Sequence, residues 1–377
     1  MKFIISKNAF SDGLQQVLHV VNTRASLPIL SHVKIDVYGR HVTLTTTNLD
    51  LGIQCHMAAV VESEGSVTLP VKKLATIVKA LPGSEVSVEE GSKAQITLRA
   101  GASTFKISGL GAEEFPKLST FTEAHEMQFE QNKLKEMLCK VSYAQSHDEN
   151  RYLLNGVFFS FEDEALYLVA TDGRRLGLVR KVMGERTESY PSIILPARTV
   201  SELERLLGHG KYVHLKFNEK QVSFDIAVDV SDEKEVTLEG SIELISKVVE
   251  GRYPNYRQVL PSSVEHRVKI DRALLLEIVQ RVALVASERN YSVCLRMADQ
   301  ALEVSAKSSE YGEAHESFPI SYDETPVEIA FNPQFLIEPL RTLQEDDVFF
   351  EFKDEMSPGV LKTLEDFSCV IMPLRLR

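Results

Sequence analysis

The segment Thr171-Asp172-Gly173-Arg174 comes closest, in its residue types, to a catalytic group. Asp172 could act as a general base, and Arg174 or Arg175 could hold an anion beside it. The same four residues are also a common turn sequence, because a glycine after aspartate readily adopts a positive φ. No phosphate-binding loop, dinucleotide fingerprint, zinc-protease or serine-hydrolase motif accompanies them. We therefore interpret the segment as a turn and predict that the protein is not an enzyme.

Cysteine and histidine, which often bind transition metals, show no ligand spacing in this sequence. The four cysteines, Cys55, Cys139, Cys294 and Cys369, occur singly and suit buried thiols in a reducing compartment. The N-terminal sequence has too short an apolar run for a signal peptide, and no stretch approaches the roughly 18 apolar residues of a membrane span. We expect a cytoplasmic protein with no metal, no cofactor and no membrane segment.

Basic residues are concentrated in six segments of helical period within an acidic chain. The net charge is −12, yet Lys and Arg outnumber Asp and Glu by 15 to 9 in these segments. A basic helical face is often simply solvated, but its recurrence here favours weak contacts with phosphate groups. The predicted helices are 7–24, 69–82, 131–143, 196–211, 271–289 and 333–345.

Apolar stripes on three of these helices mark the faces that a core would cover. The opposite faces carry the cations, such as Lys72 and Lys79 in the second helix and Lys133 and Lys140 in the third. We predict the buried stripes to be Leu74, Ile77, Val78 and Leu81; Leu134, Met137, Leu138 and Val141; and Leu275, Ile278, Val279 and Val282.

A proline at a strand-to-helix junction occurs three times, because proline is tolerated in the first turn of a helix. A second marker, a predicted helix N-cap, occurs at Asn8, Asn132 and Asp271. The two markers repeat with nearly the same intervals, 124 and 126 residues and then 139 and 137. Such long intervals indicate tandem domains. The junctions are Leu69-Pro70, Leu195-Pro196 and Asn332-Pro333.

Each copy has the pattern β, α, three β-runs, α and three more β-runs. The alternation of apolar residues in the β-runs predicts strands with one buried face, so the fold class is α+β with antiparallel sheets. A third marker, Phe115-Pro116 against Tyr253-Pro254, has the same displacement of 138 residues. We predict three domains at 1–124, 125–262 and 263–377.

Five longer motifs connect the chain to a known family. Together with the tandem domains they resemble the bacterial sliding clamp, the beta subunit of DNA polymerase III. The motifs are Leu27-Pro28-Ile29-Leu30 after Arg24, Arg151 to Gly156, Ala170 to Leu176, Glu250 to Tyr256, and Val370 to Leu376.

The resemblance implies a homodimeric ring in which two three-domain subunits join head to tail. The sheets would lie outside, the two helices of each domain inside, and double-stranded DNA would pass through the hole without sequence-specific contacts. It also implies a processivity factor that tethers replicative and repair polymerases and is loaded by a clamp loader. The alternative is a tandem-repeat scaffold that binds proteins and does not encircle DNA.

Helical periodicity assigns the candidate DNA contacts to basic side chains on the predicted helices. The loop His147-Asp148-Glu149-Asn150 is more acidic than a DNA-contacting loop should be. The candidates are Arg24, Lys72, Lys73, Lys79, Lys133, Lys140, Arg198 and Arg281.

The resemblance further implies a partner-peptide groove and a subunit seam. Arg174 stands where the family often has histidine, and Arg377 follows the usual terminal leucine. At the seam, Phe105 and Ile107 would face Leu284 and Val285 of the partner. The groove residues would be Leu154, Thr171, Gly173, Arg174, Arg175, Leu176, Pro261, Val370, Met372, Pro373, Leu374, Arg375 and Leu376.

Overall fold

The structure is a computed structural model that describes residues 1–21, 27–121, 123–184, 190–228, 241–261, 263–286 and 291–375. The candidates Arg24 and Leu376, and the additional Arg377, lie outside these residues. No helix in the described ranges is long and apolar enough to cross a membrane.

Strands and helices follow the predicted alternation in all three copies. The first copy contains β1 Lys2–Ser6, α1 Lys7–Leu18, β2 His32–Tyr38, β3 His41–Thr47, β4 Leu51–Ala58, β5 Val60–Ser63, β6 Gly65–Pro70, α2 Val71–Ala80, β7 Glu85–Glu90, β8 Gln95–Ala100, β9 Ser103–Ser108 and β10 Leu110–Gly111. The second contains β11 His125–Glu130, α3 Gln131–Ser142, β12 Gly156–Glu162, β13 Ala165–Thr171, β14 Arg175–Val182, β15 Ile193–Pro196, α4 Ala197–Leu206, β16 Tyr212–Phe217, β17 Gln221–Ala227 and β18 Ser241–Lys247. The third contains β19 His266–Asp271, α5 Arg272–Val282, β20 Val293–Ala298, β21 Ala301–Ser308, β22 Gly312–Pro319, β23 Val327–Phe331, α6 Pro333–Thr342, β24 Asp347–Phe352, β25 Gly359–Lys362 and β26 Phe367–Ile371.

The second and third copies have four strands between their helices and the first has five, whereas the pattern predicts three β-runs. The short strand that leads directly into the second helix, namely β6, β15 or β23, is the one predicted at each proline junction. The first copy also has the short strands β5 and β10. All strand pairs in the described residues are antiparallel, so the predicted fold class, an α+β fold with antiparallel sheets, is confirmed.

The chain divides into two compact units, and each unit contains strands of two copies. The first unit is Met1–Lys135 with Ser201–Val248, and the second is Glu136–Val200 with Val249–Arg377. The first has sheets of order β5-β1-β7-β8-β9 and β10-β6-β2-β3-β4-β18-β17-β16-β11. The second has β15-β12-β13-β14-β26-β25-β24-β19 and β22-β21-β20-β23. Because the longer sheets continue from one copy into the next, the boundaries at 124 and 262 stay a prediction.

The two places where a sheet passes between copies are built in the same way. In the first unit, β4 pairs with β18, and Lys247 N donates to Asp50 O at 2.8 Å. In the second unit, β14 pairs with β26, and Met372 N donates to Arg174 O at 2.9 Å. Each time, the last strand of one copy joins the strand that follows the hairpin of the preceding copy. We call these two places the first and second junctions.

Two predicted helix caps are wrong. α1 begins at Lys7, so Asn8 lies inside the helix and Ser6 precedes it without a side-chain cap. α3 begins at Gln131, so Asn132 also lies inside. In both cases the preceding strand runs directly into the helix, so the cap position falls on the strand's last residue.

Other helix starts agree with the prediction. Asp271 caps α5, its Oδ1 accepting a hydrogen bond from Leu274 N at 2.8 Å. Asn332 caps α6 through Gln334 N at 2.9 Å, and Pro333 is the first helical residue. α6 continues through Pro339 and ends at Thr342, three residues before the predicted end.

The predicted apolar stripes are confirmed. All eight stripe residues of α3 and α5 are buried, and in α2 only Ile77 is half-buried. α1 packs on α2, and α5 packs on α6. Helical periodicity therefore identified the faces that cover the sheets.

Candidate functional site

The Thr171–Arg175 segment forms the turn between β13 and β14. Asp172 Oδ1 accepts hydrogen bonds from Arg174 N at 2.8 Å and Arg175 N at 3.0 Å. Gly173 has a φ of 84°, the left-handed region that favours glycine. Thr171 Oγ1 closes the turn by donating to Arg175 O at 2.6 Å. The interpretation of this segment as a turn is confirmed.

An apolar cluster lies around the second junction, on the face of the eight-stranded sheet opposite the helices. Leu176 and Val370 are buried there and are paired across β14 and β26. Leu154 is half-buried against the same cluster. The structure thus brings three predicted groove residues, far apart in sequence, onto one apolar surface.

Arg175 does not belong to this surface, so its prediction as a groove residue is wrong. Its side chain is buried, and its guanidinium bonds to Asp172 at 3.1 Å, to Glu338 and to Tyr143 O at 2.6 Å. It also lies 4.6 Å from the ring centre of Phe335. Successive residues of a strand point to opposite faces, so Leu176 faces the cluster and Arg175 faces the helices.

The C-terminal segment continues beside the cluster. Met372 and Leu374 are 41% and 40% exposed, large fractions for apolar side chains. Their positions are set by the backbone, since Met372 N donates to Arg174 O and Leu374 N donates to Ala330 O at 2.7 Å. Pro373 between them is half-buried, and Arg375 is exposed. Such exposed apolar side chains on a fixed backbone suit the docking of an apolar peptide.

Polar groups and a cavity lie beside the apolar cluster. Arg174 is exposed at the turn, and Gly173 beside it is exposed as well. Pro261 lines a cavity of about 360 Å³ together with Leu260, Val264 and Val360. Val360 is also a member of the apolar cluster. The cavity and the cluster therefore form one continuous surface, which we call the groove.

Sequence reasoning missed several aromatic residues of the groove. Tyr253 and Tyr256 are buried in the cluster, and Phe158 stacks on Tyr253 with ring centres 4.6 Å apart. The two tyrosines belong to the Glu250–Tyr256 motif, which identified a repeat and a resemblance but carried no site assignment. Its two closely spaced tyrosines were the signal that could have found them.

The basic face of α2 is exposed as predicted. Lys72, Lys73 and Lys79 lie opposite the buried Leu74 and Val78. Within the described ranges, none of these three lysines has an ion-pair partner. Lys133 on α3 is exposed, and Arg198 on α4 is half-buried.

Lys140 is buried, so its prediction as a DNA contact is wrong. Its ammonium group is 2.9 Å from Glu136 Oε1 and 3.0 Å from Glu345 Oε1. Glu345 belongs to the third copy, whose packing on α3 cannot be inferred from the period of one helix.

Arg281 is exposed, but its charge is matched by acidic neighbours. Two bonds of 2.8 Å join its guanidinium to Glu316 on β22, and Glu277 is 3.4 Å away. The hydrogen bond with Glu316 raises the pKa of Arg281 above its ordinary value. Arg281 is therefore a weaker candidate for phosphate contact than the lysines of α2.

The predicted seam residues fall into two groups. Phe105 is 40% exposed and Leu284 is 81% exposed, while Val285 is half-buried. Ile107 is only 8% exposed and so offers little surface to a partner, and its place in the seam stays a prediction. Phe105 lies on β9, one of the two edge strands of the five-stranded sheet.

Comparison with known proteins gives one consistent result. Sequence models of the DNA polymerase III beta subunit match the chain as the N-terminal domain at 1–119, the central domain at 128–255 and the C-terminal domain at 257–375. The beta sliding clamps of Synechococcus elongatus and Caulobacter vibrioides are each 30% identical, covering 100% of this chain and of their own length.

Solved structures agree with the sequences. The DNA polymerase sliding clamp of Bacillus subtilis has a TM-score of 0.92 at 25% identity, and the DNA polymerase III subunit beta of Bartonella birtlesii, bound to griselimycin, has 0.90 at 28%. Each covers 100% of both chains. The resemblance found in the sequence motifs is confirmed. The chain belongs to the family of DNA polymerase III beta subunits, the beta sliding clamps.

Proposed function

We propose that this protein is a DNA sliding clamp and processivity factor. Two copies close head to tail around duplex DNA, and the groove of each copy holds DNA polymerases and the clamp loader by a short peptide. The observation that carries the proposal is the repeated sheet junction, which occurs twice within the chain and leaves one equivalent pair of strands at open sheet edges.

The open edges follow from the order of the strands. The last strands of the second and third copies, β18 and β26, join β4 and β14. The corresponding strands that remain are β9, which precedes the two-residue strand β10 at the end of the first copy, and β22 in the third copy. Both are outermost strands of their sheets. An open edge tends to pair with another strand, and β22 of one subunit meeting β9 of the next would close a cyclic dimer.

The cationic side chains of the helices would bind DNA without fixing the ring at one position. Lys72, Lys73, Lys79 and Lys133 would contact phosphates, with Arg198 and Arg281 contributing less. Such contacts carry no sequence information, and a closed ring remains on DNA by topology even when each contact is weak. The net charge of −12 then keeps other surfaces of the protein away from DNA.

Partner proteins would bind at the groove. Met372 and Leu374 offer adaptable apolar contact, while Arg174 and the backbone of the turn would orient a bound peptide. No nucleotide-binding motif occurs in the sequence, so another protein, the clamp loader, would open the ring. A clamp on bacterial chromosomal DNA would work in the cytoplasm.

Retention on closed DNA tests this function. The protein is loaded on a nicked circular plasmid by a bacterial clamp loader with ATP, and half of the sample is linearised with a restriction enzyme before gel filtration. We expect the protein to elute with circular DNA and to be lost from linear DNA. The Lys72→Ala/Lys73→Ala/Lys79→Ala variant should still be retained on circles but should dissociate at lower salt during loading. Equal retention on both forms, or retention on neither, would favour the scaffold.

A further inference from the structure

The first junction has a cavity of its own, which corresponds in position to the groove. The cavity has a volume of about 670 Å³, within the usual range of ligand sites, and all its lining residues belong to the first unit. Its floor is the nine-stranded sheet, and one wall is the segment 115–121, which we call the strap.

The strap is held over the sheet at defined points. Leu118 packs directly on Gly52, where a Cβ would lie 2.5 Å from Leu118 Cδ2. Gln221 Nε2 donates to Thr120 O at 3.0 Å, and Phe115 is buried against Ile29 and Leu30. The wall of the cavity is therefore a positioned segment of chain.

The two junctions can be aligned residue by residue. Leu49 has a φ of 80° where Gly173 has 84°, and Asn48 Oδ1 accepts from Asp50 N and Leu51 N as Asp172 Oδ1 does in its turn. Gly52 pairs with Ile245 where Leu176 pairs with Val370. The cavity and the groove thus occupy equivalent positions on equivalent sheets.

The side chains at these equivalent positions differ in chemistry. In the second unit one row across the sheet reads Phe158, Val169, Leu178, Ser368 and Lys362. In the first unit the same row is polar and ends in two acids, and it reads Lys34, Thr45, Gln54, Glu243 and Asp225. A largely apolar row that ends in a lysine therefore corresponds to a polar row that begins with Lys34 and ends in two carboxylates.

The two carboxylates have no cationic partner within the described ranges. Asp225 and Glu243 stand directly opposite each other on β17 and β18. Glu243 accepts a hydrogen bond from Ser223 Oγ at 2.9 Å. Three lysines line the cavity: Lys34 is paired with Asp36, Lys216 is paired with Glu126, and Lys117 lies on the strap without an ion pair to either carboxylate. Like charges directly opposite on neighbouring strands are unfavourable, and a bound cationic group would relieve them.

We propose that this cavity is a second docking site, which takes a short peptide segment of a partner protein bearing arginine or lysine side chains. An apolar residue beside the cation would contact Leu118 and Ile245, and the cation would lie between Asp225 and Glu243. The comparison with the groove rests on the proposed function, but the charge and shape of the cavity do not. A clamp could then hold two partners of different chemistry on each subunit.

The test separates the two sites. A phage library of random 12-residue peptides is selected on the full chain carrying Met372→Ala/Leu374→Ala, which weakens the groove. Enriched peptides are then synthesised with a fluorescent label and titrated by anisotropy. We expect them to be rich in arginine and lysine, and to lose at least tenfold in affinity on Asp225→Asn/Glu243→Gln. The matched control, Asp163→Asn/Glu164→Gln at the exposed β12–β13 turn, should leave their affinity unchanged.

Several results would overturn the proposal. They are the absence of enriched peptides, enrichment without basic residues, or unchanged affinity for Asp225→Asn/Glu243→Gln. That variant should melt no lower than the parent protein, because it removes a like-charged pair, so loss of folding does not explain a weaker peptide. A polymerase-tail peptide titrated on the same proteins reports the groove separately, since it should respond to Met372→Ala/Leu374→Ala alone.

Discussion

Arg174 and Arg175 are adjacent in sequence but lie in opposite environments. Arg174 is exposed at the turn, whereas Arg175 is buried and bonded to Asp172, Glu338 and the carbonyl of Tyr143. The charge of Arg175 is fully matched where it lies, and its removal would leave acceptors unpaired. Their contributions to stability should therefore differ greatly.

We expect Arg175→Met to destabilise the protein by about 3 kcal/mol, because breaking a buried, hydrogen-bonded ion pair leaves its partner charge uncompensated. Arg174→Met, the matched control, should change stability by less than about 0.5 kcal/mol, as is usual for an exposed site. Thermal and urea unfolding of both variants would measure this. Equal losses would show that burial does not distinguish the two arginines.

Met372 and Leu374 should contribute apolar contact to the binding of a peptide in the groove. Truncating both to alanine removes apolar contact worth more than about 1.4 kcal/mol, so a labelled polymerase-tail peptide should bind at least tenfold more weakly in fluorescence anisotropy. Leu364→Ala is the matched control, since Leu364 is highly exposed and lies outside the cluster. An unchanged dissociation constant for the double variant would contradict the assignment of the groove.

At the scale of elements, a buried lysine on α3 forms an ion pair with the segment that follows α6. Lys140 bonds to Glu345, and the pKa of Glu345 is below its ordinary value. Burial alone would raise this pKa, but backbone N–H donors and Lys140 together outweigh that effect. A carboxyl whose pKa is lower in the folded state stabilises the protein above its unfolded-state pKa.

The stabilisation by Glu345 should therefore be present at pH 7 and should disappear as the pH falls below about 4.3, the ordinary value for glutamate. Glu345→Gln should cost about 1 kcal/mol at pH 7, a figure that allows for solvent screening, and much less at pH 3. Melting curves across this range measure the difference. Asp50→Asn, which removes an exposed pair with Lys247, is the control and should show little effect. A cost that is the same at both pH values would rule out this linkage.

At the scale of the whole molecule, β9 and β22 are the elements through which the ring would close. Sedimentation should give twice the chain mass of 42.3 kDa for the natural protein. Phe105→Ala/Leu284→Ala should shift the equilibrium toward the monomer by at least tenfold, because both side chains would lose apolar contact across the seam. Tyr38→Ala, another exposed aromatic truncation, serves as the control. A double variant that stays wholly dimeric at low concentration would contradict this seam.

The sequence by itself determined what depends on local chemistry and periodicity. The threefold repeat, the buried stripes of α2, α3 and α5, the cap at Asp271 and the turn at Gly173 follow from neighbouring residues. The family was also apparent, because its motifs are short and contiguous.

Only the tertiary structure decided which surfaces those elements share. The burial of Lys140 and Arg175, the entry of Tyr253 into the groove and the packing of Leu118 on Gly52 all involve partners distant in sequence. The passage of a sheet from one copy into the next is likewise invisible to a repeat pattern. The physical reason is that periodicity sets the direction of a side chain relative to its own helix or strand, whereas burial and charge pairing depend on what the rest of the chain brings against it.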